Sequence, residues 1–366
     1  MERIVVGMSG GVDSSVTALL LKQQGYDVVG VFMNNWKDEN ENGVCAAVDD
    51  WKDVEAVCDR IDIPYYSVSF AQEYYDRVFA HFLEEYKKGR TPNPDVLCNR
   101  EIKFKAFLDY AMQLGGGHIA TGHFVKKGAR NGHTVLLKGD DPNKDQSYFL
   151  YMLKEAQLDK ALFPVGGLTK AQVREIAREN GLPVSNKKDS TGVCFIGERR
   201  FRTFLQQYLP LRPGPMVTES GETVGEHIGL AYYTLGQRRG LNIGGRGDGR
   251  SWYVIAKELD GNRLVVAQGE DSPRLYSRFI RASQPTWIAG DAPMAEGEPY
   301  RCTARFRYRQ PDQAVTVTLQ NGELRIAADD PQRAITPGQS VVLYQGDLCL
   351  GGGIQEEALD APPKDQ

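Results

Sequence analysis

The stretch that decides the fold is Ile4-Val5-Val6-Gly7-Met8-Ser9-Gly10-Gly11-Val12-Asp13-Ser14-Ser15. An apolar run of strand length breaks at two glycines and passes into an apolar helical pattern, with Ser14 or Asp13 able to cap the first turn. A strand that feeds a helix through a glycine turn directs backbone N–H groups and the positive end of the helix dipole at one point, which binds phosphate. Because Gly10 and Gly11 have no Cβ, the backbone can approach the anion closely.

The turn lacks the Gly-Lys-Ser/Thr ending of a Walker A loop and the third glycine of the dinucleotide pattern. Ser9-Gly10-Gly11-x-Asp13-Ser14, directly after a strand, resembles the PP-loop of the ATP pyrophosphatase enzymes. That resemblance implies a loop that holds the β- and γ-phosphates of ATP while the α-phosphate is attacked, so that pyrophosphate leaves. An ordinary serine–glycine turn is the alternative.

The composition is that of a globular protein, with 41% hydrophobic and 25% charged residues among 366, enough chain for two or three domains. The formal net charge of -4 does not suggest a nucleic-acid binder, although a basic face can coexist with acidic patches. No apolar run reaches membrane-spanning length, so we expect a cytoplasmic protein without membrane partners. The six cysteines contain no Cys-x-x-Cys pair, which argues against a zinc ribbon or a disulfide framework.

Strand and helix patterns alternate in the first third of the chain, which predicts an α/β fold with a doubly wound parallel sheet. The predicted strands after the first are 26–33, 64–70 and 118–124, and the predicted helices are 44–61, 72–88 and 101–114. Ligands bind at the carboxyl ends of such strands, where Met33 and Gly122 lie.

Residues 125–141 read as a hairpin insertion, 144–151 as the opening of a helix, and 169–180 as a helix capped by Thr169. From about Met216, short alternating runs broken by glycine predict antiparallel β domains, the last barrel-like. We therefore expect a first domain over 1–205, a small β domain over 206–272, a barrel-like domain over 273–355 and a disordered tail over 356–366.

Two cysteines differ from the others because polar loops surround them. Cys98 has Arg100 and Lys103 nearby and precedes a predicted helix, and Cys194 follows a pair of lysines and precedes an arginine-rich helix. A helix N-terminus and neighbouring cations lower the pKa of a thiol, which favours the reactive thiolate. Taken alone, each cysteine fits an inert role as well.

Further motifs follow the PP-loop in chain order. They are Asn93-Pro94-Asp95-x-x-Cys98-Asn99-x-x-Ile102-Lys103-Phe104, Thr121-Gly122-His123, Lys144-Asp145-Gln146-Ser147-Tyr148-Phe149-Leu150, Asp189-Ser190-Thr191-Gly192-x-Cys194-Phe195-Ile196-Gly197, Gly236-Gln237-Arg238-Arg239-Gly240-Leu241 and Arg307-Tyr308-Arg309. Together with the PP-loop they resemble the tRNA-specific 2-thiouridylase (MnmA) family from residue 1 to about Gly353, with Phe124 where many relatives have tyrosine.

The resemblance implies that ATP adenylates the 2-carbonyl oxygen of the wobble uridine, position 34 of certain tRNAs, and that a persulfide on Cys194 then supplies sulfur. It implies that Cys98 frees hydrosulfide by attacking the outer sulfur of that persulfide, or assists the transfer more directly, and that a Cys98–Cys194 disulfide results. Asp95 matches the family's proposed general acid–base, with Asn93 and Pro94 lining the flipped base. A turn-forming role after Pro94 is the alternative for Asp95.

The resemblance also assigns ligand-binding residues and partners. The expected ATP site, with Mg²⁺ accompanying the nucleotide, consists of Gly7, Met8, Ser9, Gly10, Gly11, Val12, Asp13, Ser14, Met33 and Gly122. The expected tRNA contacts are Asn93, Pro94, Asp95, His123, Lys144, Asp145, Gln146, Arg307, Tyr308 and Gln339, with a helical tRNA-binding part at about 145–205. The expected partners are wobble-uridine tRNAs, those for Lys, Glu and Gln, and a protein that donates persulfide sulfur.

Basic runs with interleaved aromatic residues fit RNA binding, because cations bind phosphate and aromatic rings stack on bases. The alternate spacing of Arg301, Arg305, Arg307 and Arg309 in a predicted strand favours a single basic face, although each run alone fits a solvated surface. The other runs are Lys187-Lys188, Arg199/Arg200/Arg202 and Arg238-Arg239 with Arg246 and Arg250.

Three other functions compete with this interpretation. Another ATP pyrophosphatase, an amidotransferase synthetase or argininosuccinate-type ligase, needs neither paired loop cysteines nor a basic β domain. An iron–sulfur RNA thiolase needs a Cys-x-x-Cys pair, which the sequence lacks. A non-catalytic, nucleotide-regulated RNA-binding protein needs neither an intact PP-loop nor the two cysteines.

Overall fold

The structure is a computed structural model, and it describes residues 1–36, 46–189, 201–244, 247–359 and 361. The predictions made for Cys194, for Arg199 and Arg200 and for Arg246 lie outside these residues.

A five-stranded parallel sheet forms the centre of the first region. Its strands are β1 (Arg3–Met8), β2 (Asp27–Asn34), β3 (Tyr65–Ser69), β4 (His118–Ala120) and β7 (Ala161–Leu162). The strand order is β3-β2-β1-β4-β7, so the chain first builds outward on one side of β1 and then returns to its other side. This order confirms the doubly wound prediction and places the switch point between β1 and β4.

Helices cover both faces of the sheet, and each face has its own apolar core. One face is covered by α1 (Val12–Gln23), α2 (Ala46–Ile61) and α8 (Lys170–Glu179). The other is covered by two helices with internal π turns: α3 (Ala71–Tyr74) and α4 (Ala80–Lys87) flank Tyr75–Phe79, and α5 (Pro94–Cys98) and α6 (Phe107–Gln113) flank Asn99–Ala106. The capping box of Thr169 with Gln172 starts α8, as the sequence predicts.

Two helix predictions were wrong. The helix expected from Glu101 begins at Pro94, because Pro94 takes the first helical position that a proline fits. Residues 144–151 form only a 3₁₀ turn at Ser147–Phe149, because the Asp145 carboxylate accepts hydrogen bonds from the backbone N–H groups of Gly139 and Ser147. The remaining short helices are α7 (Glu155–Asp159) and α9 (Phe201–Gln206), with 3₁₀ turns at Leu230–Tyr232 and Pro273–Leu275.

The central region is a four-stranded sheet in the order β10-β11-β8-β9. Its strands are β8 (Gly214–Val217), β9 (Thr223–His227), β10 (Trp252–Glu258) and β11 (Arg263–Gln268). The pairing of β8 with β11 is parallel and the other two are antiparallel, so the antiparallel prediction holds except at that pair.

The last region is a closed antiparallel barrel, as predicted. Its strands are β12 (Tyr276–Trp287), β13 (Pro299–Arg305), β14 (Gln313–Gln320), β15 (Glu323–Arg333), β16 (Ser340–Gln345) and β17 (Leu348–Leu359). The barrel closes because β12 pairs with both β15 and β17. Since β17 runs to Leu359, the prediction of a disordered tail from residue 356 was wrong for its first four residues.

The predicted hairpin insertion joins the first region to the barrel. It consists of β5 (Val125–Arg130) and β6 (His133–Lys138), with Asn131 and Gly132 both at positive φ as a tight hairpin turn requires. β6 adds to the edge of β17, where Leu137 lies opposite Leu348. None of the helices in the described ranges is long and apolar enough to cross a membrane.

A buried ion pair fastens the same junction. The Arg305 guanidinium, at the end of β13, donates to Asp145 over 2.6 Å and to Asp312 over 2.6 Å. Asp145 is only 3% exposed, and the Arg305 guanidinium also lies 5.0 Å from the ring centre of Tyr344. Because both charges are largely removed from water, this ion pair stabilises the fold only when its hydrogen-bond geometry is good.

We expect Asp145→Asn to destabilise the protein by about 1.5–3 kcal/mol, because Arg305 keeps Asp312 but loses a charged hydrogen bond in a buried site. The shift in the midpoint of urea unfolding, at unchanged slope, measures this change. Asp329→Asn is the control, because it breaks the half-exposed Arg301–Asp329 pair and should change stability by less than about 1 kcal/mol. Equal shifts for the two variants would contradict the prediction.

Candidate active site at the carboxyl edge of the sheet

The glycine loop between β1 and α1 has the shape that the sequence predicts, with one correction. Gly11 is the N-cap of α1, so neither Ser14 nor Asp13 caps the helix. The Ser14 hydroxyl instead donates to the carbonyl of Gly11 over 3.1 Å and accepts from the N–H of Ser9 over 3.2 Å. Since the N-cap has no side chain, the first turn of α1 presents its N–H groups to the edge of the sheet.

Two loop positions have no room for a side chain. Gly10 has φ +70°, and a Cβ there would lie 2.6 Å from the carbonyl oxygen of Asp50. A Cβ on Gly122, just after β4, would lie 2.8 Å from the backbone nitrogen of Ser14. The loop therefore lies against both α2 and the end of β4, at the switch point of the sheet.

The residues expected to bind the nucleotide include both buried and exposed side chains. Met8 and Val12 are buried in the core, so only their backbone faces the edge of the sheet, whereas Ser9 is exposed. Met33, near the end of β2, has its Cε 3.1 Å from where a Cβ on Gly7 would lie. Met33, Gly7 and Gly122 are thus brought to the same edge as the loop.

A lysine that sequence reasoning missed reaches into this loop. Lys170, the first residue of α8, has its Nζ 2.5 Å from Asp13 and 2.9 Å from Asp189, and its side chain is only 12% exposed. Burial raises the pKa of Asp13, although the hydrogen bond from Lys170 opposes that rise. Burial also opposes ionisation of Asp189, but the hydrogen bonds from Lys144 and Lys170 outweigh it and lower its pKa to about 2.

Further cations complete the charge at the loop. Arg174 donates to Asp189 over 2.5 Å, and Lys187 donates to the Gly10 carbonyl over 3.1 Å. Lys187 also pairs with Asp50 and Asp53 of α2. The structure therefore places Lys187 at the glycine loop, whereas the sequence analysis assigned it to a basic RNA-binding run. No spacing in the sequence links these side chains to a loop more than 150 positions away, so the sequence carries no signal for them.

The structure corrects the environment predicted for Cys98. Cys98 is the last residue of α5, past the first turn where the helix dipole acts, and it is fully buried in the core. Burial raises the pKa of its thiol to about 11, although the charge of Lys103 opposes the rise. In the free protein Cys98 is therefore a protonated thiol, and the lowered pKa predicted from its neighbours was wrong.

The residues before Cys98 form the start of its helix. Asn93 is the N-cap of α5, Pro94 is buried at its first position, and Asp95 lies half-buried in the first turn. Asp95 and Cys98 are three positions apart in one helical turn, so they lie on the same side of the helix.

His123 connects this helix to the nucleotide loop. Its buried ring accepts or donates a 2.8 Å hydrogen bond with the Thr121 hydroxyl and lies 5.8 Å from the ring of Phe104. Burial lowers the pKa of His123 well below 6.5, and the charge of Lys103 adds to this effect. The charge of Lys103 thus acts on both Cys98 and His123.

Several side chains expected to contact tRNA are engaged within the protein. Lys144 pairs with Asp189, Asp145 with Arg305, and the Gln146 side chain accepts from the N–H of Phe124 over 2.9 Å. Arg307 donates to the carbonyls of Leu235 and Ala334, Tyr308 packs 4.4 Å from the ring of Phe149, and Gln339 donates to the Thr91 carbonyl over 2.8 Å.

The predicted single basic face on the arginine strand was wrong. β13 ends at Arg305, so the alternation does not continue to Arg307 and Arg309. Arg305 and Arg307 point into protein contacts, and Arg301 pairs with Asp329. Arg309 is exposed.

The described part of the chain holds no cluster of three or more His, Cys, Asp or Glu side chains placed to bind a metal ion.

We expect Cys98 to react slowly with iodoacetamide in the free folded protein, because the thiol is buried and its pKa is about 11. A thiol with that pKa is ionised in proportion to hydroxide concentration below it, so the rate should rise about tenfold per pH unit between pH 7 and 10. Peptide mass spectrometry measures the modified fraction at this position. A rate that is already constant above pH 7 would contradict the structure.

Known protein families match three consecutive parts of the chain. The family models cover residues 2–198 (tRNA methyl transferase HUP domain), 202–268 (tRNA methyl transferase PRC-barrel domain) and 277–354 (aminomethyltransferase beta-barrel domain). The tRNA-specific 2-thiouridylase MnmA 2 of Geobacillus kaustophilus is 57% identical over 358 residues, 98% of this chain and 95% of that protein. The tRNA-specific 2-thiouridylase MnmA of Bacillus subtilis is 56% identical over 356 residues, 97% of this chain and 95% of that protein.

A solved complex of a 4-thiouridine synthetase with RNA and bound ATP is a distant neighbour, with 18% identity and a TM-score of 0.36. The match covers 56% of this chain and 49% of that one. The near-complete coverage at more than half identity decides the family: the chain belongs to the tRNA-specific 2-thiouridylases of the MnmA family, which are tRNA sulfurtransferases.

Proposed function

We propose that this chain converts the wobble uridine of tRNA to 2-thiouridine, with adenylation by ATP followed by sulfur transfer from a cysteine persulfide. The proposal rests on the observation that the glycine loop and the helix of Asp95 and Cys98 come together at one edge of the sheet. The glycine loop with Lys170 lies against Gly122, and the next residue, His123, neighbours the helix of Asp95 and Cys98.

The first step activates a poor electrophile. The 2-carbonyl oxygen of uridine attacks the α-phosphorus of ATP, the bond to the β-phosphate bridging oxygen breaks, and pyrophosphate leaves. The loop N–H groups and Lys170 would stabilise the charge that develops on the leaving pyrophosphate. Asp95 would take the proton that the base loses from N3, as the family resemblance suggests.

The second step replaces oxygen by sulfur. Hydrosulfide from the Cys194 persulfide attacks C2, and the C2–O bond breaks as AMP leaves. The sulfane sulfur gains two electrons, which the thiolates of Cys98 and Cys194 supply as they join in a disulfide. An external thiol must then reduce that disulfide before the next cycle.

Bond counting corrects one detail expected from the resemblance. Hydrosulfide leaves only if Cys98 attacks the inner sulfur of the persulfide, the atom bonded to Cβ of Cys194. Attack on the outer sulfur would transfer that sulfur to Cys98 and release the Cys194 thiolate, without a disulfide. Direct attack of the persulfide on C2, with Cys98 then resolving the linkage, gives the same overall balance.

Mg²⁺ would accompany the nucleotide and lower the charge of its phosphates. Asp13 would offer such an ion a carboxylate oxygen at the loop if the triphosphate draws away its present partner, Lys170. A bound triphosphate offers Lys170 an alternative anion.

The two β regions would contribute to tRNA binding, and they would form separate domains with boundaries at 205/206 and 272/273. The tRNAs for Lys, Glu and Gln are the proposed substrates, and a persulfide-carrying protein is the proposed sulfur donor. Exposed arginines that could contact phosphate include Arg238, Arg239 and Arg309.

A set of variants should distinguish the adenylation step from the sulfur-transfer step. We expect Ser14→Ala and Lys170→Met to slow pyrophosphate release by about 10²–10³-fold, because each alters the site of the leaving group. Cys98→Ser should release pyrophosphate but form no 2-thiouridine. Pyrophosphate assays and mass spectrometry of digested tRNA measure the two products.

Arg178→Met is the matched control, because Arg178 lies on the same helix as Lys170 and pairs with Glu175 at the exposed surface. It should leave both products unchanged. Normal 2-thiouridine formation by Cys98→Ser would overturn the role given to Cys98, and normal pyrophosphate release by Lys170→Met would overturn the role of the loop.

We expect Arg309→Ala to reduce the slope of log K against log salt for tRNA binding by about one, because one phosphate contact is lost. Arg301→Ala is the control, since Arg301 already pairs with Asp329 on the barrel. Filter binding at several salt concentrations measures the slope. An unchanged slope for Arg309→Ala would place the phosphate contacts elsewhere.

A further inference from the structure

The segment Gly89–Pro92 connects α4 to α5, and all three regions of the chain meet on it. From the central region, Lys257 donates to the Gly89 carbonyl over 2.8 Å. From the barrel, the Pro337 carbonyl accepts from the N–H of Thr91 over 2.9 Å. The segment therefore belongs to the first region by sequence, but both β regions hold it.

Arg90 carries the strongest of these contacts. Its guanidinium bonds to Glu85 of α4 and, through two nitrogens, to the Glu356 carboxylate on β17. The three side chains are 20%, 9% and 16% exposed, and Ser283 of β12 also donates to Glu356. A bidentate pair of this kind fixes orientation as well as distance.

The backbone around Arg90 leaves little freedom to adjust. Gly89 has φ +71°, and a Cβ there would lie 2.7 Å from Cδ2 of Leu259 on the central region. Gly338 of the barrel has φ +93°, and a Cβ there would lie 3.0 Å from the backbone of Thr91. The fit thus depends on two glycines as well as on the ion pairs.

This segment leads directly into the start of the reactive helix. Pro92 precedes the N-cap Asn93, and Asp95 and Cys98 lie in the next turn. Prolines at 92 and 94 restrict the backbone between them, so a displacement of Gly89–Pro92 would move the first turn of α5 as a unit.

We propose that Arg90 is a positioning residue for the reaction: its bond to Glu356 makes the seating of the barrel set the position of Asp95 and Cys98. The inference rests on the proposed function, because it gives Arg90 importance only through those two residues. Arg90 lies outside the nucleotide loop, so it should affect the chemistry and leave ATP binding unchanged.

The test measures kcat and KM for 2-thiouridine formation by Arg90→Gln and Glu356→Gln in the full-length protein with saturating ATP and sulfur donor. We expect kcat to fall about tenfold or more in each, because small misplacements of reacting groups have effects of that size. KM for tRNA and the affinity for ATP should stay within twofold of the wild type. The double variant should fall no further than Arg90→Gln, because both changes break the same contact.

Arg281→Gln is the matched control. Arg281 lies on the same β12–β17 surface and bonds to Glu323 and Glu357. Its charge also acts on Glu356, so this variant controls for the loss of a nearby cation without removal of the Arg90–Glu356 bond. It should keep its kcat within twofold. Circular dichroism at the assay temperature identifies folded variants, and Glu356→Gln decides the outcome if Arg90→Gln does not fold.

Three results overturn the proposal: kcat within twofold of wild type in folded Glu356→Gln, a rise in KM without a fall in kcat, or an equal loss in Arg281→Gln. Asp95→Asn and Cys98→Ser are measured beside them. If the wild type forms no 2-thiouridine, the proposed function fails, and if Asp95→Asn and Cys98→Ser retain full activity, the roles given to those two residues fail. If these two variants lose activity while the Arg90 and Glu356 variants do not, only the positioning role fails.

Discussion

The absence of side chains at two backbone contacts determines how the glycine loop lies at the edge of the sheet. Gly122 lies against the first turn of α1, and Gly10 lies against the backbone of α2 at a positive φ. These contacts bring the end of β4 and the loop after β1 together at the switch point of the sheet. A Cβ at either position would collide with backbone rather than with a movable side chain, so the loop would have to leave the edge where its N–H groups converge.

Charge at this edge is balanced by the protein itself. Lys170 and Lys187 reach the loop from α8 and from the segment after it, and the carboxylates of Asp13, Asp50, Asp53 and Asp189 face them. Buried or half-buried cations need such partners when no other anion is present. A triphosphate at the loop would compete for the same lysines, so binding would exchange internal ion pairs for external ones. Asp189 would be affected most by such an exchange, because it pairs with three cations.

The sequence predicted what depends on local pattern and missed what depends on long-range contact. The loop, the parallel sheet, the Asn131-Gly132 hairpin and the Thr169 cap follow from short-range rules, and the structure has each of them. Lys170 at the loop could not be foreseen, because only the packing of α8 beside α1 brings it to Asp13. The arginine run failed for a related reason: β13 ends at Arg305, where a buried pair with Asp145 replaces the expected solvent-facing alternation.

Cys98 shows how sequence neighbours and spatial neighbours can have opposite effects. Arg100 and Lys103 lie close in the chain, and charge alone would lower the pKa of the thiol. The helix turns Cys98 into the core, where the cost of desolvating a thiolate exceeds the attraction of Lys103. A thiol in this environment reacts slowly until its surroundings change, so burial protects Cys98 from alkylation and oxidation in the folded protein. The helix start that carries it is held by contacts from both β regions, so the surfaces proposed to bind tRNA are mechanically connected to the thiol.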